Sequence, residues 1–183
     1  MNKKWFLGLW MILGAGVIFM CASNSMAQTP DHEFVGVSKC SMCHKSEKMG
    51  QQAVIWQGSS HAKAFDTLGT AQAKDVGKKF GVDNPQASGK CLKCHSTAYG
   101  FSENKVTDKV TVEEGVSCES CHGAGKDYMK MSIMKDKQQS IDGGLKVPDE
   151  KTCAKCHNSE SPTAKTFDFK TMWEKIKHPM PKG

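Results

Sequence analysis

The chain has 183 residues, 38% of them hydrophobic, with nine Cys, seven His, 19 acidic residues and 25 basic residues that are all Lys. Beyond the first 27 residues the balance is 23 Lys against 19 acidic groups, a formal +4 that is too small to imply a nucleic-acid partner. The same stretch holds 23 large apolar residues (Leu, Ile, Val, Phe), about 15% where roughly 20% is the floor for an ordinary folded chain. Polypeptide alone cannot fill such a core, so disulfides, metals or a cofactor must.

In chain order, Lys3 and Lys4 precede an uncharged apolar run at residues 5–22, and Ser25-Met26-Ala27 offers small residues where a signal peptidase reads. Residues 1–27 are expected to be a cleaved signal peptide. Residues 28–183 then form a single domain in an oxidising exported compartment, periplasmic or extracellular. If uncleaved, the apolar run would be the membrane tie, because no later stretch is long and apolar enough to span a bilayer. Cys21 leaves with the signal, and eight cysteines remain.

All eight fall into Cys-x-x-Cys-His blocks: Cys40, Cys43 and His44; Cys91, Cys94 and His95; Cys118, Cys121 and His122; Cys153, Cys156 and His157. Two thiols three positions apart can meet the two vinyl groups on one edge of a porphyrin, and the next residue turns its imidazole beneath the iron. Structural zinc sites or a thioredoxin-like redox pair would use Cys-x-x-Cys, but neither explains a His after every second Cys. The expected cofactors are four covalently attached haem c groups, with His44, His95, His122 and His157 as proximal iron ligands. They supply the missing apolar volume. A globule of this length has a radius of gyration of roughly 15 Å, so the haems must lie close together. Successive blocks begin 51, 27 and 35 residues apart, too irregular for a solenoid, and the short middle step suggests that the second and third haems form a tight pair. Eight ionised propionates would move the holoprotein from +4 to about −4.

Around the blocks, His32 lies on an extended arm. Helical periodicity spans residues 53–68, 70–80, 127–141 and 168–177; loops are marked by Asp83-Asn84-Pro85 and Gly143-Gly144, and residues 105–112 alternate enough for a short hairpin strand. The fold class is mostly α with long loops, a compact domain whose core is the haem stack. Beyond the proximal ligands, His32, His61 and His178 remain as candidate distal ligands: His61 among small residues in the first of these helices, His178 before Pro179 at the end of the last. Seven histidines cannot make eight bonds. For the remaining iron the residues leave three choices: a thioether from Met129, Met131 or Met134, an open or water-bound face, or a histidine lent by another molecule.

The run Gly36-Val37-Ser38-Lys39-Cys40-Ser41-Met42-Cys43-His44, residues 56–68, the run Gly115-Val116-Ser117-Cys118-Glu119-Ser120-Cys121-His122-Gly123-Ala124-Gly125, and Glu160-Ser161-Pro162 after the last block together resemble the multihaem cytochrome c-554/c-prime family of small tetrahaem electron carriers. The resemblance covers most of the mature chain and implies that His61 and His178 are distal ligands. It also implies a distal His in the helix after the Cys-His-Gly-x-Gly turn, but residues 126–132 here contain none. The chain is similar as well to the tetrahaem subunits of extracellular cytochrome filaments, through the arm from His32 to Val37 and the stretch from Asp168 to Pro179. In those filaments one haem takes a His from the neighbouring molecule, which makes His32 the residue expected to cross.

The expected function is electron transfer by a periplasmic or extracellular tetrahaem cytochrome with mostly bis-His iron, serving redox-partner proteins, with a homopolymer as one form of it. No catalytic residue is assigned. The alternative is a haem enzyme that uses one open iron on a small nitrogen oxide, hydroxylamine or peroxide.

Overall fold

The computed structural model describes residues 32–99 and 108–180. The expected signal segment lies outside them. The described residues are helices and loops, with no helix long and apolar enough to cross a membrane. They run α1 (Val37–His44), α2 (Gln52–Gln57), α3 (Ala64–Thr67), α4 (Ala71–Lys79), a 3-10 turn (Pro85–Ala87), α5 (Gly89–His95), a 3-10 turn (Val112–Glu114), α6 (Cys118–His122), α7 (Met131–Met134), α8 (Lys137–Asp142), α9 (Glu150–Ala154) and α10 (Phe169–Ile176). The mostly helical, loop-rich class read from the sequence is the one observed.

Two capped helices, α4 and α10, match the sequence reading, whereas α9, which carries a full capping box from Asp149 and Thr152, has no counterpart in it. Thr70 accepts the Ala73 N–H at the start of α4, and Asp168 accepts the Thr171 N–H at the start of α10, so both helices begin where a short polar side chain satisfies a free donor. Two expected helices are broken. The first, residues 53–68, becomes α2 and α3 around a turn, because the His61 carbonyl accepts N–H bonds from Ala64 and from Val116, far along the chain, instead of continuing a helical ladder. Gly115 makes that approach possible: its φ is +64° and an added Cβ would lie 2.8 Å from the His61 carbonyl oxygen. The second, residues 127–141, opens as a turn and splits at Asp136, which leaves helical geometry to cap α8 through the Gln139 N–H. Of the expected strand, residues 105–107 lie outside the described region and 108–112 form a turn entering a 3-10 helix, with no strand.

The apolar core is small. Phe34, Val110 and Ala124 pack together with Ala98 beside them, while Phe80, Tyr99, Met129 and Ile141 stay well exposed. Polar residues do much of the remaining joining. Glu119, only 2% exposed, accepts N–H bonds from Val35 at 3.0 Å, Gly36 at 2.9 Å and Gly125 at 2.7 Å, fastening the amino-terminal arm to the third block.

Candidate functional site

Each block puts its two cysteines on one face of a short helix or at its end, since positions three apart are neighbours on a helix surface. In α6 the stop is sharp: Gly123, at φ +76°, ends the helix directly after His122 and donates its N–H to the Glu119 carbonyl. None of the eight cysteines is in a disulfide. They approach across blocks. The Cys40 and Cys118 side chains lie beside each other where α1 packs on α6, and so do those of Cys94 and Cys156, next to an ion pair of Lys93 with Glu160 at 2.5 Å. The nearest cysteines therefore pair the first block with the third and the second with the fourth, where the short spacing suggested second with third. The second and third blocks still meet: Thr97, 2% exposed, accepts the Ser117 N–H at 2.7 Å and donates its own N–H to the Gly115 carbonyl. Among the described residues no three His, Cys, Asp or Glu converge as a cage for a bare metal ion.

The proximal histidines are oriented from behind. His95 Nδ1 donates to the Ala64 carbonyl at 2.8 Å, His122 Nδ1 to the Lys146 carbonyl at 3.3 Å, and His44 Nδ1 to Gln52 Oε1 at 3.2 Å. Gln52 in turn donates to the Pro179 and Met49 carbonyls. An acceptor at Nδ1 keeps the proton there and leaves the Nε2 lone pair for a metal. His157 stacks on Phe167, ring centres 4.7 Å apart.

Two of the three remaining histidines face a proximal one. The ring centres of His61 and His157 are 6.0 Å apart, and those of His178 and His122 are 5.7 Å apart. Two imidazoles on opposite faces of one metal, with bonds of about 2 Å, have ring centres roughly 6 Å apart, so each pair is spaced to hold an iron between its members. Burial pushes the pKa of His61, His122 and His178 below the usual histidine value. Neighbouring imidazoles add to it at all three, and the Lys146 carbonyl partly opposes it at His122. The neutral imidazole, the ligating form, is thereby favoured. His32 instead donates from Nδ1 to Asp127 at 2.7 Å and lies on Gly144, where an added Cβ would come within 2.6 Å of its ring. Met129 and Met131 are exposed and Met134 half-buried. Together, the eight block cysteines, the turned imidazoles and the thin protein core fit haem.

Glu119, Gln52, Thr97 and Phe167 do not stand out in the sequence. Only Glu119 left a trace there, as the one acidic residue among the eight positions between paired cysteines.

The family described as cytochrome c554 and c-prime matches residues 39–123. Cytochrome c-554 of Nitrosomonas europaea is 28% identical over 162 residues, covering 80% of this chain; the chain spans 66% of that relative's length. The reduced-state structure of cytochrome c554 from Nitrosomonas europaea superposes with a TM-score of 0.58 and 26% identity, over 82% of this chain and 86% of that one.

Proposed function

We propose that this chain, a relative of the cytochrome c554 and c-prime family, is an exported, periplasmic electron carrier holding four covalently attached haem c groups. The observation that carries the reading is the facing of His61 with His157 and of His178 with His122, at the separation of two axial ligands. Bound haem supplies one-electron redox chemistry. The chain supplies everything else. Cys40 and Cys43, Cys91 and Cys94, Cys118 and Cys121, Cys153 and Cys156 tether; His44, His95, His122 and His157 ligate from one side, the first three with tautomers set by the acceptors at their Nδ1 atoms; His61 and His178 close the opposite side of two sites. The cross-pairing of blocks keeps neighbouring sites close enough for a relay. Redox proteins are the partners. A homopolymer is a further form of this reading, in which His32 leaves Asp127 to serve a neighbouring copy.

A second reading, a haem enzyme acting on a small nitrogen oxide, hydroxylamine or peroxide, is favoured by one count: seven histidines serve eight axial positions. The deciding experiment is to produce the chain in a host that attaches haem, count haem per chain, titrate it with a one-electron reductant and add nitric oxide to the ferric and ferrous forms. Four haems per chain, reversible one-electron couples and mainly low-spin spectra are expected. Turnover of a nitrogen oxide at a high-spin haem would move the protein to the enzyme class, and fewer than four haems would sink the tetrahaem assignment.

A further inference from the structure

The buried carboxylate of Glu119 has a position that its structural role does not exhaust. It belongs to the residue directly after Cys118. The Gly36 N–H that it accepts belongs to the same residue whose carbonyl lies 3.8 Å from Cys40 Sγ, and the Cys40 and Cys118 thiols meet each other. The carboxylate therefore lies beside the attachment points of the first and third blocks. Its bonds come from the backbone N–H groups of Val35, Gly36 and Gly125, dipoles that fix the charge without cancelling it. Glu114, half-buried, stands on the same side and accepts the Val37 N–H through both oxygens at 3.2 Å. The other pair of blocks is different: the acids beside it, Asp149, Glu150 and Glu160, are all exposed, and Glu160 is matched by Lys93.

We propose that Glu119 is a potential-setting residue, lowering the reduction potentials of the two haems held by the first and third blocks relative to those held by the second and fourth. The inference rests on the electron-carrier reading above. A ferric centre carries one more positive charge than the ferrous one, and a fixed negative charge in a site shielded from water favours the oxidised form. The step affected is the uptake of one electron from a redox partner, ferric to ferrous, with no bond made and no proton required. Electrons entering the molecule then settle on the second and fourth blocks first.

The test is a potentiometric titration of the holoprotein, with the four couples resolved spectroscopically, for the unaltered chain, Glu119→Gln and Glu119→Asp. Glu119→Gln is expected to raise two of the four couples by about tenfold in the equilibrium constant for reduction, 59 mV for a one-electron couple. Glu119→Asp keeps the charge and shortens its reach, so those two couples should move far less. Equal shifts in both variants would mean a purely structural role and overturn the inference, as would four attached haems with couples that Glu119→Gln leaves in place. Should Glu119→Gln fail to mature, Glu119→Ser takes its place: a rise in the couples of the first and third blocks supports the inference and four unchanged couples overturn it. An unaltered protein without reversible haem couples would overturn the carrier reading itself, an outcome separate from either of these.

Discussion

His61 stands on a turn whose carbonyl accepts a long-range bond from the Val116 N–H, and its imidazole meets that of His157. Replacing His61 with Ala should leave four haems attached but convert one low-spin ferric haem to high-spin, with a new response to nitric oxide at that site. Unchanged spectra would mean that His61 does not ligate. The block cysteines and the histidine after each pair stand out from spacing alone, because the proposed attachment to a porphyrin is local chemistry. His61 and His178 were readable as leftovers of the histidine count. Their partners were not, since the pairing depends on chain segments that meet only after folding. Glu119 is the sharper case: it sits inside a motif where its position is nominally free, and its three donors include Val35, 84 residues away. Leaving such buried N–H groups without an acceptor costs about 1–3 kcal/mol each, so this side chain is fixed by contacts that no local pattern displays.

Among the elements, the well-capped α4 and α10 matched their periodicity, while the stretches 53–68 and 127–141 did not stay continuous. In both failures a polar group found a better use: the His61 carbonyl in a tertiary bond, Asp136 in a cap. The cap on α10 also makes this element sensitive to acid. Hydrogen bonds from the Thr171 side chain and backbone hold the Asp168 carboxyl below its ordinary value of 3.8. A depressed pKa in the folded state contributes stability that is complete above the unfolded value and is lost as pH falls through the lower, folded one. On acidification below 3.8, α10 should loosen and the low-spin signal of the His178 site should decline first. Asp136 and Asp149 are held down in the same way by Gln139 and Thr152, so the contribution of α10 is isolated by Asp168→Asn, which keeps a capping oxygen that does not titrate. That variant should flatten the acid response of the His178 site, and an unchanged acid profile would count against the cap.

At the scale of the molecule, the shortage of large apolar residues evident in the composition reappears as a core of Phe34, Val110 and Ala124 with exposed aromatics around it. A chain made without haem attachment should therefore lack cooperative unfolding and most of its helical circular dichroism at neutral pH; a cooperatively melting, helical apoprotein would show that the polypeptide core suffices. The shortage was legible because it is a property of totals. The arrangement of blocks was not, because loop length says little about which segments meet. That arrangement carries a consequence for biogenesis. A chain crossing a membrane from its amino terminus presents Val35 long before Glu119, and Lys93 67 residues ahead of Glu160. Each early block must wait, solvent-exposed and without its mate, until a much later one has been threaded through. In the proposed exported carrier, maturation is thereby coupled to completion of translocation, so a product cut short before Cys118 would keep two tethering motifs and lose the facing partner of both.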